Sequence, residues 1–263
     1  LYLPQSWTDH PDRCAAAGIP AGVVFATKVD HARRMLTRAH EARVSAGWVA
    51  ADEFYGNHRG LRRDQQARGI GYVLGVAKNH RVSQTNGLTA TVEHIANLLP
   101  RRCWNRLSAG KGHKGEREYD WAWVRIIPPA DEKTGHHWLL IRRRIADGEL
   151  AYYRCWSPKR VALAALVHVA GVRWCVEECF RAGKDEVGLD QHQVRKWTSW
   201  YRYTTLAMFA HAILAVAAAR ERENRPRGTQ RMIALTVNEI RHLFAKLVNN
   251  TSRRISHWLH WSN

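Results

Sequence analysis

The spacing of hydrophobic residues divides the chain into segments of helical and of extended character. Helical spacing predicts one helix over residues 30–45, with Asp30 as its N-cap, and a second helix over residues 59–68. Two short apolar runs, residues 47–52 and residues 71–77, have the length and composition of buried strands. This helix–strand–helix–strand order predicts an α/β sheet in which these two strands pair in parallel.

In the second half of the chain, the spacing of hydrophobic residues changes from the alternation of strands to the period of helices. A short helix is predicted near residues 90–99, followed by a basic, glycine-containing loop at residues 108–115. Three alternating segments rich in β-forming residues then predict an antiparallel meander over residues 119–127, 137–143 and 150–156. Three long helices follow, over residues 160–186, 196–222 and 236–248.

One predicted helix carries an unusual stripe of charge, which consists of Arg173, Glu177 and Lys184. At about 100° per residue, Glu177 lies roughly 40° and Lys184 roughly 20° from Arg173, so all three share one face. A carboxylate between two cations suits a metal-dependent enzyme acting on a phosphodiester, although a solvated ion pair on an ordinary helix has the same spacing. The residues expected to face a core are Cys175, Val176 and Cys179.

The acid at the end of the first predicted strand is a second candidate for chemistry. Asp52 ends the apolar run of residues 47–52 and is followed by the turn residues Tyr55 and Gly56. In open α/β sheets, functional sites form where the carboxyl ends of the strands meet. Asp52 is therefore expected to lie at such a site.

The chain is strongly basic, which favours a polyanionic partner. It has 41 Lys and Arg against 23 Asp and Glu, a net charge of +18. Nucleic acid is the expected partner, and an anionic membrane surface is the alternative. The apolar residues 206–219 are too few for the ~20 needed to cross a bilayer, so we predict a core helix and no membrane partner.

The cysteines indicate neither a disulfide framework nor a zinc site. There are five, widely scattered, and no C-x2-C pair occurs among them. This pattern is typical of a protein in a reducing cytosol.

These elements together resemble a known family. Asp52 in WVAADEFYG, the R-x3-E-x6-K helix, and the block from Glu186 to Arg202, EVGLDQHQVRKWTSWYR, resemble the DDE transposases of bacterial insertion sequences, in the branch with the YREK signature. The resemblance extends from the opening LYLP to LTVNEIR near the end of the chain. Ala170 stands where the signature has its tyrosine.

The resemblance implies a fold, a reaction and a set of site residues. The fold would be α/β, an RNase H-like catalytic core with a β-rich insertion before the last catalytic helix. Asp52 and Glu177 would be metal ligands for two Mg²⁺ or Mn²⁺ ions that support cleavage and strand transfer of DNA. DNA contacts would come from Arg173, Lys184, Arg195, Arg142, Arg143, Lys111 and Lys114. A homodimer in the bacterial cytoplasm, at the nucleoid, is also implied.

The domain organisation expected from the resemblance has four parts. They are a partial RNase H-like core (1–80), the β-rich insertion (81–158), the catalytic helix region (159–200) and a C-terminal helical region (201–263). The first strand and its catalytic Asp have no counterpart, and residues 1–4 are expected to be the tail of a strand. A truncated enzyme, inactive alone, is therefore predicted. The alternatives are a non-catalytic DNA-binding remnant and a different RNase H-like nuclease.

Overall fold

The computed structural model of the protein describes residues 1–112, 115–224 and 235–260, with side chains up to residue 248 in the last segment. It contains two compact units. The first consists of Leu1–Leu3 and Phe25–Val176, and the second of Pro4–Val24 and Glu177–Asn263. The four-part division predicted from the sequence stays a prediction, and the two units are described in turn.

The first unit is built on a mixed sheet with helices on both faces. Its strands are β1 (Trp48–Ala51), β2 (Gly71–Val76), β3 (Arg81–Gln84), β4 (Thr89–Thr91), β5 (Asn105–Gly112), β6 (Gly115–Ile127), β7 (His136–Arg143) and β8 (Leu150–Ser157). Its helices are α3 (Lys28–Glu41), α4 (Glu53–Gly56), α5 (Arg59–Arg68), α6 (Val92–Leu98) and the first half of α7 (Leu163–Val187), with a 3₁₀ turn at Arg101–Cys103.

The described strands form one sheet in the order β1-β2-β8-β7-β6-β3-β4, with β5 also paired to β6. Strands β1 and β2 are parallel, as predicted, with Trp48 opposite Gly71 and Ala51 opposite Leu74. The meander of β6, β7 and β8 is antiparallel, also as predicted, and β8 pairs with β2. The result is a mixed α/β fold compatible with a DDE nuclease.

The prediction of a basic loop at residues 108–115 was wrong for those residues of the stretch that the structure describes. Ser108 to Gly112 belong to β5, which pairs with β6 and has an irregular register between Ser108 and Lys111. Glycine has a low propensity for strands, so the hydrogen bonds to β6 are what stabilise the extended conformation of this segment. The remaining residues of that stretch include Lys114, which lies outside the described residues.

Because successive side chains of a strand point to opposite faces, the sheet has a hydrophobic core on each side. Trp121, Leu140 and Cys155 pack with Leu166 and Val167 of α7 on one face. On the other face, residues of α6 pack with those of the strands, among them Val92, Ile95, Ile126, Leu139 and Ile141. Helix α7 therefore covers the face on which Trp121 lies.

Helix α3 begins earlier than predicted, because its cap is a threonine. Thr27 is the N-cap, and its side-chain oxygen accepts from the Asp30 amide at 3.1 Å. Asp30 in turn accepts from the Thr27 amide, which completes a capping box. The predicted role of Asp30 as N-cap is corrected to that of the third helical residue.

The outward side of α7 differs from the prediction. Leu166, Val167 and Val169 are buried on the side of α7 that faces the sheet. Cys175, Val176 and Cys179 are exposed. At about 100° per residue, the stripe that continues from Leu166 and Ala170 leads to Trp174, and Cys175 and Cys179 lie far from it. The expectation that these three residues face a core was wrong.

The second unit consists of α1 (Gln5–Thr8), α2 (Pro11–Ala16), the second half of α7, α8 (Trp197–Glu223) and α9 (Val237–His260). Leu214 and Ala218 of α8 pack against Ile240 of α9. The chain between α7 and α8 is joined to the end of α2, since the Trp197 amide donates to the Ala17 carbonyl at 2.9 Å. Leu1–Leu3, in the first unit, forms no strand, contrary to expectation.

Helix α8 is not the core helix that was predicted. Only Ala207, Leu214 and Ala218 are buried along it, and Leu206, Met208 and Phe209 are each more than 60% exposed. Judged by length and composition alone, this is one helix in the described part of the chain that could cross a membrane. The absence of a membrane partner therefore stays a prediction.

Candidate functional site

Asp52 immediately follows β1 and begins the turn that leads into α5. Its carboxylate caps α4, with Oδ1 accepting from the Phe54 amide at 3.1 Å, and the side chain is exposed. The Gly56 amide donates to the Asp52 carbonyl at 3.0 Å, which closes the turn. Because β1 and β2 are parallel, Asp52 lies at the edge of the sheet where both strands end.

A pocket of about 580 Å³ opens at this edge, on the face of the sheet that α7 covers. All of its lining belongs to the first unit. Asp52 and Lys78 contribute from the ends of the parallel strands. The lining contributed by the meander and α7 includes Arg117, Tyr119, Arg142, Tyr153, Arg173 and Trp174.

Arg117 joins α7 to the strand beside it. Its Nη2 donates to the Ala109 carbonyl at 2.7 Å and to the Gly171 carbonyl of α7 at 3.1 Å. The guanidinium carbon also lies 4.6 Å from the centre of the Trp174 ring, a cation–π contact. Arg117 therefore brings a positive charge to the pocket wall while it fixes α7 against β5.

Two further arginines, Arg142 and Arg173, line the pocket together with the half-buried Tyr153. Arg142 lies over the Tyr119 ring at 4.7 Å. Burial raises the pKa of Tyr153, and the charges of Arg142 and Arg173 act in the opposite direction. Arg142 and Arg173 therefore add positive charge to the pocket wall.

Three glycines allow the backbone to pack closely around the site. A Cβ on Gly75 would lie 2.9 Å from the Glu53 amide nitrogen, and one on Gly56 would lie 1.8 Å from the Gly75 carbonyl oxygen. A Cβ on Gly171 would lie 2.0 Å from the Ala109 carbonyl oxygen. Side chains at these positions would displace the Asp52 turn or α7.

Three acidic residues line the pocket. Asp52 offers the hard carboxylate oxygen that Mg²⁺ prefers. Glu53 and Glu149 also line the pocket, and Glu149 is paired with Arg144. Among the described residues, no group of three or more His, Cys, Asp or Glu side chains is placed to hold a metal ion. The complete ligand set expected for a two-ion site is therefore not assembled here.

The structure brings three of the predicted site residues together, namely Asp52, Arg142 and Arg173. Arg143 lies on the opposite face of the sheet, where it contacts the Trp104 ring at 4.2 Å and donates to Asp120 at 3.1 Å. Lys111 is exposed on β5 and is not part of the pocket lining.

The remaining predicted residues lie in the second unit. Glu177 and Lys184 are exposed on the second half of α7, and Arg195 is exposed in the segment before α8. Their predicted roles are untested and return below as proposals.

Sequence reasoning missed two cations that the pocket contains, Lys78 and Arg117. Lys78 follows β2 by two residues, much as Asp52 follows β1, so its position was available from the parallel pairing. Arg117 alternates with Tyr119 and Trp121 along β6, which places all three on the face under α7. Its bond to Gly171 depends on how α7 packs, which the local pattern does not reveal.

Part of the chain matches a known protein family. Residues 1–97 match the family model described as DDE superfamily endonuclease. The match supports a DDE-type transposase or endonuclease family, in which activity generally depends on divalent metal ions and the substrate is DNA. Asp52 lies within the matched residues, and Glu177 lies outside them. No curated protein matches the sequence.

Proposed function

We propose that the protein acts on DNA as a DDE transposase of the RNase H-like, insertion-sequence type, cleaving and joining strands by phosphoryl transfer. The observation that carries the proposal is the pocket where the parallel strands end. It combines Asp52 with Lys78, Arg117, Arg142 and Arg173, and it lies within the unit whose first part matches DDE endonucleases. An acid among cations suits a phosphodiester better than a neutral substrate.

The chain's own residues would bind and orient the DNA backbone. Arg142 and Arg173 present guanidinium groups that can each bind two phosphate oxygens, and Lys78 adds a point charge. Arg117 is held by the Ala109 and Gly171 carbonyls, so its charge is fixed in place rather than mobile. Fixed positive charge around a phosphate stabilises the charge that develops as the bond breaks.

Asp52 and Glu177 are proposed as metal ligands because both belong to the segments that resemble the DDE family. When bound, Mg²⁺ or Mn²⁺ would activate the attacking oxygen and stabilise the leaving one. The third carboxylate of a DDE site is not assigned to a residue of this chain. Lys184 and Arg195 are proposed as further DNA contacts, in a homodimer at the nucleoid.

A second candidate function is DNA binding without catalysis. The observation that favours it is that, within the described residues, no three metal-binding side chains come together. The basic pocket would then bind the DNA backbone, and Asp52 would act only as the cap of α4.

A nicking assay on supercoiled DNA, with Mg²⁺ or Mn²⁺, separates the two functions. The expectation that the chain is inactive alone is untested, and the assay tests it directly against the proposed activity. If the wild-type protein is active, it should nick DNA, and Asp52→Asn and Glu177→Gln should lose activity by about 100-fold or more while DNA binding persists. Glu178→Gln is the control, since its side chain points about 100° away from that of Glu177 on the same helix.

Each outcome has one interpretation. Loss of nicking in Asp52→Asn and Glu177→Gln, but not in Glu178→Gln, supports the transposase. Normal nicking by Glu177→Gln would show that the Glu177 assignment is wrong. Salt-dependent DNA binding with no metal-dependent nicking by any of the proteins would favour the non-catalytic function.

A further inference from the structure

A buried ion cluster lies behind the Asp52 turn, on the face of the sheet away from α7. Its centre is Glu132, in the connection between β6 and β7, whose side chain is completely buried. Arg62 of α5 and Arg154 of β8 each bind Glu132 at 3.0 Å, and both are 4% exposed. Gln66 donates to the second carboxylate oxygen at 3.3 Å.

Arg62 differs from Arg154 in a second contact. Its Nε and Nη2 both donate to Glu132 Oε1, and its Nη1 donates to the Gly56 carbonyl at 2.7 Å. Gly56 is the last residue of α4, and its own amide donates to the Asp52 carbonyl. A continuous chain of hydrogen bonds therefore runs from Glu132 through Arg62 to the backbone of Asp52.

Stability alone does not account for such a cluster. Burying an ion pair costs desolvation energy, and a well-packed apolar group of similar size is often as stabilising. A guanidinium, by contrast, fixes two partners in one plane, which an apolar group cannot do. The contact to Gly56 gives this cluster a geometric role.

We propose that Arg62, held by Glu132, is a positioning residue for Asp52: it fixes the α4 turn so that the Asp52 carboxylate faces the pocket. The inference deepens the proposed function and rests on it. Arg62 is not one of the residues that line the pocket, and its hydrogen bond to the Gly56 carbonyl connects it to the backbone of the turn. Close packing of Gly56 on Gly75 holds the turn from the other side.

The test compares Arg62→Lys with Arg154→Lys. Both variants keep a positive charge beside Glu132. Arg154 donates to Glu132, whereas the described bond to the Gly56 carbonyl comes from Arg62. Arg154→Lys is therefore the matched control for disturbance of the cluster itself. Thermal unfolding of both variants shows whether their losses of stability are comparable.

Two measurements follow on the folded proteins. Amide hydrogen exchange at Phe54 and Gly56 should accelerate at least tenfold in Arg62→Lys and not in Arg154→Lys. In the nicking assay, Arg62→Lys should lower the rate at saturating DNA about tenfold without changing the DNA concentration at half-saturation. A purely structural role would affect both variants in proportion to their lost stability.

The outcomes for the positioning role and for the enzyme are separate. Equal exchange at Phe54 and Gly56 in the two variants would overturn the positioning role, whether or not the protein cuts DNA. Faster amide exchange in Arg62→Lys alone, with no nicking by wild-type protein, would support the positioning of the turn and count against the proposed function. Selective exchange with normal nicking by Arg62→Lys would refute the link to catalysis.

Discussion

The backbone of Gly75 lies directly against that of Asp52. A Cβ atom on Gly75 would be 3.0 Å from the Asp52 carbonyl carbon. Gly75 belongs to β2 and Asp52 follows β1, so this contact joins the ends of the two parallel strands. The position of the Asp52 carboxylate therefore depends on a residue without a side chain on the neighbouring strand.

Gly75→Ala should reduce nicking about tenfold and the free energy of unfolding by about 1–3 kcal/mol, because the new methyl group pushes the Asp52 turn away from β2. Gly47→Ala is the control, since a Cβ at Gly47 meets no atom within 4 Å. Nicking rates and urea unfolding curves measure the two effects. Unchanged nicking by a folded Gly75→Ala protein would show that the turn tolerates displacement.

Removing one pocket arginine should weaken DNA binding and its salt dependence. We expect Arg142→Ala and Arg173→Ala each to reduce the slope of log K against log salt by about 0.9, the value for one phosphate contact. Arg143→Ala serves for comparison, because that side chain lies on the other face of the sheet and is bound to Asp120. Fluorescence anisotropy at several salt concentrations measures the slopes, and equal slopes for all three variants would contradict the assignment of the pocket.

Glu132→Gln should destabilise the first unit by about 3 kcal/mol at neutral pH, since two buried arginines lose their counter-charge. Burial alone would raise the pKa of Glu132, but Arg154 and Arg62 outweigh it and lower that pKa below 4.5. The stabilising effect is thus fully present above pH 4.5 and is lost as the pH falls through the lowered pKa.

Urea unfolding between pH 3 and pH 8 checks both the size and the pH dependence of this effect. The difference in stability between wild-type protein and Glu132→Gln should shrink toward the acid end of the range. The exposed Glu118→Gln provides the control. A difference that grows as the pH falls would have the wrong sign and would exclude a charged Glu132 in the folded protein.

The cysteines should differ sharply in reactivity. Cys175 and Cys179 are exposed, whereas Cys155 is fully buried and burial raises its thiol pKa. A maleimide should therefore label Cys175 and Cys179 in the native protein and label Cys155 only after unfolding. Peptide mass spectrometry identifies the labelled sites, with the double variant Cys175→Ser/Cys179→Ser as control, and protection of both residues would contradict the exposed side of α7.

Local pattern was sufficient for the elements that surround Asp52. The bounds of α5 agree with the prediction over residues 59–68, and β1 and β2 pair in parallel as expected. The hydrophobic residues of these segments are regularly spaced, and the ends of the segments can be recognised in the sequence. For example, Gly69, with a positive φ, terminates α5. Asp52 could be placed because it directly follows a short apolar run that predicts a strand, although β1 is half-buried rather than buried as predicted.

Prediction failed where an element depends on its distant partner. Residues 108–112 look like a loop by composition, and they form a strand because β6 provides a partner. Helix α7 has apolar residues on several sides, so its pattern does not reveal which side meets the sheet. The correct side is set by Leu166 and Val167, and the error at Cys175 and Cys179 follows from that ambiguity.

The close approach of Gly171 to Ala109 helps to set the rotation of α7 about its own axis, together with the packing of Leu166 and Val167. The helix backbone approaches β5 so closely at Gly171 that no other residue of the turn could take its place without a shift. Arg173 is two residues further on, so its direction depends on this contact. Inserting or deleting one residue between the two would turn Arg173 by about 100° away from the pocket, although the helix would gain or lose only one residue. The spacing from Gly171 to Arg173 is thus as much a part of the site as the arginine itself.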